Sequence, residues 1–221
     1  MIVFLRKLIS VTRYPEFIRL IWWRTIVPWR IRNLGVQIHK STRFYGSPIV
    51  SMEPDGRINI GSRCVLCSDS RYTALGVNHP VILRTLKASA HIQIGEDSGI
   101  SGASICAALS VVIGREVLLG ANVVITDTDF HAVYPTGRRF NENLEDIKSS
   151  PVFIEDNVFV GTGAIILKGV TIGRNSVIAA GAVVTRNIPE NVIAAGNPAR
   201  VVSPIGSPSI SGSLLPDAKE K

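Results

Sequence analysis

The chain has 221 residues, of which 46% are hydrophobic and 19% charged. That allows one sizeable core and excludes a disordered polymer. Three cysteines (Cys64, Cys67 and Cys106) are too few for a disulfide scaffold, and the net charge of +7 is too unevenly placed for a nucleic-acid surface on the main body.

Residues 1–34 form the first predicted unit, a short, basic, tryptophan-rich helical segment. Residues 1–45 hold nine Lys or Arg against Glu16 alone, while the remainder holds 15 basic and 16 acidic residues. Trp22, Trp23 and Trp29 all fall in this segment. Arg13, Arg19 and Arg24 keep every apolar run well short of about 18 residues, so a membrane-spanning helix is not expected. Nor is a cleaved leader, since no small-residue cleavage site follows a clear apolar core. Two readings stay open: a helix packed on the main domain, and an interfacial segment resting on an anionic membrane surface.

Residues 35–202 read as the main domain, and a repeat of period six runs through it. Ile60 and Leu66 begin it. Ile94, Ile100 and Cys106 form a second run, and Ile113, Leu119 and Ile125 a third. Ile154, Val160, Ile166, Ile172, Ile178 and Val184 form a fourth, each six residues after the last. Period six fits neither an amphipathic helix nor a meander of hairpins. It fits a solenoid of short strands in which one aliphatic per hexad points inward, with three hexads, about eighteen residues, to a triangular coil. On this phase Cys106 faces inward, and the seven-residue step to Ile113 predicts a bulge at a corner.

The steps from Leu66 to Ile94 (28 residues) and from Ile125 to Ile154 (29) are too long for one coil. Two protruding loops are predicted, at about residues 67–91 and 126–151, where binding and chemistry usually sit on a rigid scaffold. Residues 203–221, with five serines, three prolines and two glycines, read as a flexible tail. Cys64-x-x-Cys67 has no second ligand pair at zinc-site spacing, so two small buried thiols are expected and no metal.

The hexads resemble those of the hexapeptide-repeat acyltransferases. The runs Val160–Gly173, Ala179–Pro189 and Ala195–Val202 are similar to that family's late coils and occur in its order. The resemblance spans about residues 35–202 and is nearest to the polysaccharide and capsule O-acetyltransferase branch, beside the maltose, galactoside and nodulation-factor acetyltransferases. Phe159 stands where many relatives have Trp. The resemblance implies an all-β, left-handed parallel β-helix, an acetyl-CoA donor, and a sugar or glycan acceptor. It also implies a homotrimer with active sites between neighbours, in a cytoplasmic enzyme that would be peripheral at the inner membrane face if residues 1–34 bind lipid.

Acyl transfer from a thioester to a hydroxyl needs a general base and donors for the oxyanion. The histidines are His39, His79, His91 and His131. His131, with Pro135, Arg138 and Arg139 after it, resembles the family's catalytic loop and is the expected base. If the strand before it continues, Asp127, Asp129 and His131 share a face, and either carboxylate could orient the ring. His79, in Asn78-His79-Pro80, is the rival, and it is placed with Arg139 as an acceptor contact. His39 and His91 read as surface positions, and Cys106 as inert. For the donor, Gly161, Gly163, Ala180 and Gly181 suit close approach of a pantetheine arm. By resemblance, Thr185, Arg186, Pro198 and Arg200 would meet the nucleotide end, with guanidinium forks suited to phosphates. Two alternatives remain: an inactive β-helix scaffold, and a carbonic-anhydrase-like zinc hydrolase that would need three converging histidines.

Overall fold

The computed structural model describes residues 2–141 and 143–206. The hexads build a three-sided parallel β-helix. The first face carries strands Gln37–Ile38, Arg57–Ile60, His91–Ile94, Ser110–Ile113, Val152–Ile154 and Thr171–Ile172. The second carries Arg43–Tyr45, Val65–Cys67, Gly99–Ser101, Leu118–Leu119, Phe159–Val160, Val177–Ile178, Val192–Gly196 and Ala199–Pro204. The third carries Ile49–Ser51, Ile82–Thr85, Ser104–Ala107, Val124–Thr126, Ile165–Ile166 and Val183–Val184. The chain visits the faces in rotation, so each strand pairs in parallel with its counterpart one coil away.

The inward position of each hexad forms the core. Ile154, Val160, Ile166, Ile172, Ile178 and Val184 are all buried, as are Ile113, Leu119 and Ile125. Corners must let coils stack at strand spacing. At Gly95 a Cβ would lie 2.3 Å from the Gly114 carbonyl oxygen of the next coil, so only glycine fits there without displacing backbone.

Two expectations are corrected. The expected loop over 67–91 contains the strand Ile82–Thr85, with Leu83 fully buried, and only residues 68–81 leave the scaffold. Leu83 is off the hexad phase of Leu66 and Ile94, which hid it. Cys106 does not face inward. Ile105 pairs with Ile125 and fills the core, while Cys106 pairs with Thr126 and is half-buried. The corner at Gly102–Ala103 is one residue short, so the inward residue arrives early. Burial pushes the Cys106 thiol above its ordinary pKa, which fits an inert side chain. Cys64 and Cys67 are buried free thiols, also raised by burial, each donating to a backbone carbonyl.

The N-terminal segment is a single helix α1 (Ile2–Asn33) of 32 residues. Trp23, Val27 and Ile31 recur at helical spacing and join the core above the first coil. Trp23 meets Tyr72 edge-on at 5.2 Å between ring centroids. The packed reading therefore holds for this face of α1. Ile31→Val is expected to lower stability by about 1 kcal/mol, whereas the same change at exposed Ile21 should leave urea unfolding unchanged. At the other end, pairing continues to Pro204, two residues past the expected boundary. Residues 207–221 of the expected tail lie outside the described residues.

Candidate active site

The second protruding loop leaves the third face after the strand Val124–Thr126 and returns to the first at Val152. The strand stops because Asp127 turns inward. Asp127 is 0% exposed, and its carboxylate accepts from the backbone N–H groups of Ala108 (2.6 Å), Leu109 (2.7 Å) and Ser110 (2.7 Å). These donors sit on the corner one coil earlier, where the ladder is interrupted and their groups would otherwise be orphaned. Asp127, Asp129 and His131 therefore do not share a strand face.

The ends of the loop close on each other. The Asp129 N–H donates to the Lys148 carbonyl at 3.1 Å, and the Ser150 N–H to the Asp127 carbonyl at 2.8 Å. Asp129 forms an ion pair with Lys168 of the following coil, and its second carboxylate oxygen is buried without a partner among the described residues. Phe130 then takes a left-handed backbone conformation (φ 63°), unusual for a bulky residue, and the chain swings outward. His131 is exposed; both oxygens of Asp127 are taken by backbone N–H groups, whereas Asp129 gives one oxygen to Lys168 and keeps the other unbonded among the described residues.

His131, Pro135, Gly137, Arg138, Arg139 and Phe140 line a cleft of about 500 Å³. The two arginines differ in role. Arg138 turns back and donates to the carbonyls of Val133 (2.6 Å) and Tyr134 (3.3 Å), fastening the loop. Arg139 lies over the Phe140 ring, 5.8 Å from its centroid, and Phe140 is 81% exposed. Behind them Asn141 donates to Asp146 at 2.8 Å and to the Tyr134 hydroxyl at 3.0 Å. Hydrogen bonds from Tyr134 and Asn141 hold the Asp146 carboxyl below its ordinary range, and the bond to Asp146 pushes the Tyr134 phenol up. An open imidazole beside a guanidinium and a flat ring can take a proton, hold polar oxygens and stack on the apolar face of a ring.

His79 is not brought to this cleft. Its loop leaves from the corner between the second and third faces, whereas the His131 loop leaves between the third and first. The His79 Nδ1 lies 2.8 Å from the carbonyl of Pro80. The Asn78 N–H donates to Asn122 Oδ1 at 2.8 Å, tying this loop to the stacked corners. His39 sits beside Ser41, and His91 lies on a strand beside Ser110.

The donor candidates fall in two places. Gly161, Gly163, Ala180 and Gly181 stack on the corner between the second and third faces. A Cβ on Gly161 would lie 2.5 Å from the Ala180 nitrogen, so coil stacking by itself explains that glycine. Gly163 and Gly181 differ: both are left-handed (φ 66° and 68°), with open space where a Cβ would stand. Thr185 and Arg186, both exposed, follow Val184 on the corner from which the His131 loop departs. Pro198 and Arg200 lie on the hairpin that ends the second face.

Sequence reasoning missed Lys168 and Phe140. Lys168 meets Asp129 from 39 residues away, with no local spacing to signal it. Phe140 differs from a core aromatic only in its exposure.

The hexads match the model described as hexapeptide repeat of succinyl-transferase at residues 92–127 and 151–186. A galactoside O-acetyltransferase of Lactococcus lactis subsp. lactis (strain IL1403) is 45% identical over 91 residues, which covers 41% of this chain and 42% of that protein. The chain thus spans less than half the length of that curated relative. A solved maltose O-acetyltransferase from Clostridium difficile 630 is 30% identical, covering 71% of each chain, with a TM-score of 0.43. The solved polySia-specific acetyltransferase NeuO covers 81% of this chain and 79% of its own, at 20% identity and a TM-score of 0.54. The chain belongs to the hexapeptide-repeat acetyltransferase family. Its fold is that family's left-handed parallel β-helix.

Proposed function

We propose that the protein is an acetyl-CoA-dependent O-acetyltransferase acting on a sugar hydroxyl of a polysaccharide, a capsule or lipopolysaccharide precursor, or another glycan. The observation that carries this reading is His131, exposed in a cleft with Arg139 and Phe140, on a loop whose base is braced from inside the scaffold. An imidazole nitrogen takes the proton of the acceptor hydroxyl as its oxygen attacks the thioester carbonyl. The C–S bond then breaks, and the imidazolium returns the proton to the leaving thiolate. Arg139 meets oxygens of the acceptor, and Phe140 stacks on its ring. Asp127 and Asp129 place the loop.

In this reading the working form is a homotrimer. The open corner at Gly163 and Gly181 and the His131 loop leave from different edges of one triangle, and a neighbouring copy would bring such edges together. The pantetheine arm would run along that corner, with Arg186 and Arg200 at the phosphates. The donor places the reaction in the cytoplasm.

The test is a thermal shift with acetyl-CoA followed by a transfer assay over a panel of glycosides. A ligand at a hundredfold excess over its Kd adds about 2.7 kcal/mol of native stability. The shift should be clear for the wild type and lost in Arg186→Ala with Arg200→Ala. No shift with acetyl-CoA at millimolar concentration would overturn the donor assignment, and binding without transfer to any glycoside would favour the inactive scaffold.

A further inference from the structure

The helix α1 has two apolar faces, and the β-helix covers only one. Trp23, Val27 and Ile31 are buried against the first coil. Turned away from them, Phe17, Ile18, Ile21, Trp22, Ile26 and Trp29 are between 37% and 63% exposed. At about 100° per residue these six form one continuous band opposite the packed stripe. Monomeric proteins seldom leave such a band uncovered on one short element.

The charges around the band indicate what covers it. Arg24 and Arg19 lie at its two edges on the same angular count, and Arg32 continues it at the C-terminal end. Arg19 also rests over the Trp23 ring at 5.9 Å, and Arg30 bonds Ser47 of the body at 2.6 Å, so the basic collar is continuous with the packed face. Glu16 is the single acid in residues 1–45, against nine basic residues. Pairing this face with its own copy would bring like charges together. An anionic lipid surface supplies the missing charge, and tryptophan suits the headgroup level. No helix among the described residues is long and apolar enough to cross a membrane, so α1 would lie in the interfacial plane.

We propose that the exposed face of α1, residues 17–29, docks this protein on the surface of an anionic bilayer. The proposal does not depend on the acetyl-transfer reading. The full chain is mixed with phosphatidylcholine vesicles, with and without phosphatidylglycerol, and floated on a density gradient. The wild type should float with the phosphatidylglycerol vesicles, remain behind with phosphatidylcholine alone, and be released by added salt. Trp22→Ala with Trp29→Ala spares the packed Trp23 and should weaken flotation at least about tenfold. Arg24→Glu with Arg32→Glu should weaken it by about fivefold or more per position. Thermal unfolding of both variants like the wild type shows that the loss lies in the surface and not in the fold.

The proposal is overturned if the wild type fails to float with anionic vesicles, or floats equally with phosphatidylcholine alone. It is also overturned if both variants float as well as the wild type. Concentration-dependent assembly in solution that the tryptophan variant abolishes, without vesicle binding, would assign the face to a second copy of the chain.

Discussion

His131→Ala is expected to slow acetyl transfer by about a hundredfold to ten-thousandfold, the usual range for losing a positioned general base. Affinity for acetyl-CoA should stay near the wild-type value, because His131 stands on the acceptor side of the cleft in this assignment. His79→Ala is the matched control. Its Nδ1 sits 2.8 Å from its own loop's Pro80 carbonyl, and within one chain its loop does not reach the His131 cleft, so the loss there should be that of a contact and well below that of the base. Steady-state rates and a thermal shift on both variants decide the matter. Transfer by His131→Ala at the wild-type rate would refute the assignment outright, and a large loss in His79→Ala would move the base to the first loop.

Asp127→Ala should be the most damaging single change to the fold around the cleft. Three backbone N–H groups on the preceding coil converge on that carboxylate. A buried donor left without an acceptor costs about 1–3 kcal/mol. Two of the three donors are buried, so losing their acceptor should remove about 2–6 kcal/mol and lower Tm by roughly 4–24 °C in a chain of this size. Asp129→Ala makes the contrast. Its partner Lys168 is 31% exposed, and a partly solvated ion pair contributes at most about 1 kcal/mol. Its stability should stay close to wild type, while activity falls as the loop base loosens. Calorimetry on the two variants separates the roles, and equal melting temperatures would show that the Asp127 carboxylate is not the brace described.

The hexad scaffold was legible because its signal repeats. Each inward position is set by the same corner-to-corner distance, so Ile154 through Val184 could be placed in the core from spacing alone. Legibility failed where the phase shifted. Ile82–Thr85 looks like loop in the sequence because Leu83 falls between beats, and Ile105 takes the core place of Cys106 because one corner is a residue short. In the candidate site the protruding loop that carries His131 was legible, and its supports were not. The alternation Asp127, Asp129, His131 suggests one strand face, but strand geometry lost to three waiting N–H donors one coil away. Those donors are 17 to 19 residues from Asp127, and Lys168 is 39 from Asp129. Contacts of that range leave no mark on local pattern.

The way the solenoid ends has a consequence for how long it can grow. A stack of parallel strands could add further coils, or another molecule's edge, without limit. Here α1 lies over the first coil, with Ile31 fully buried. At the far end the second face is closed by Ala199–Pro204, which runs antiparallel to Val192–Gly196 and finishes on a proline that has no N–H to offer. The helix and the hairpin act as stoppers against fibre growth. A shortened chain ending before Ala199 would keep its hexads and lose that protection, and its hazard would be polymerisation end to end as much as unfolding.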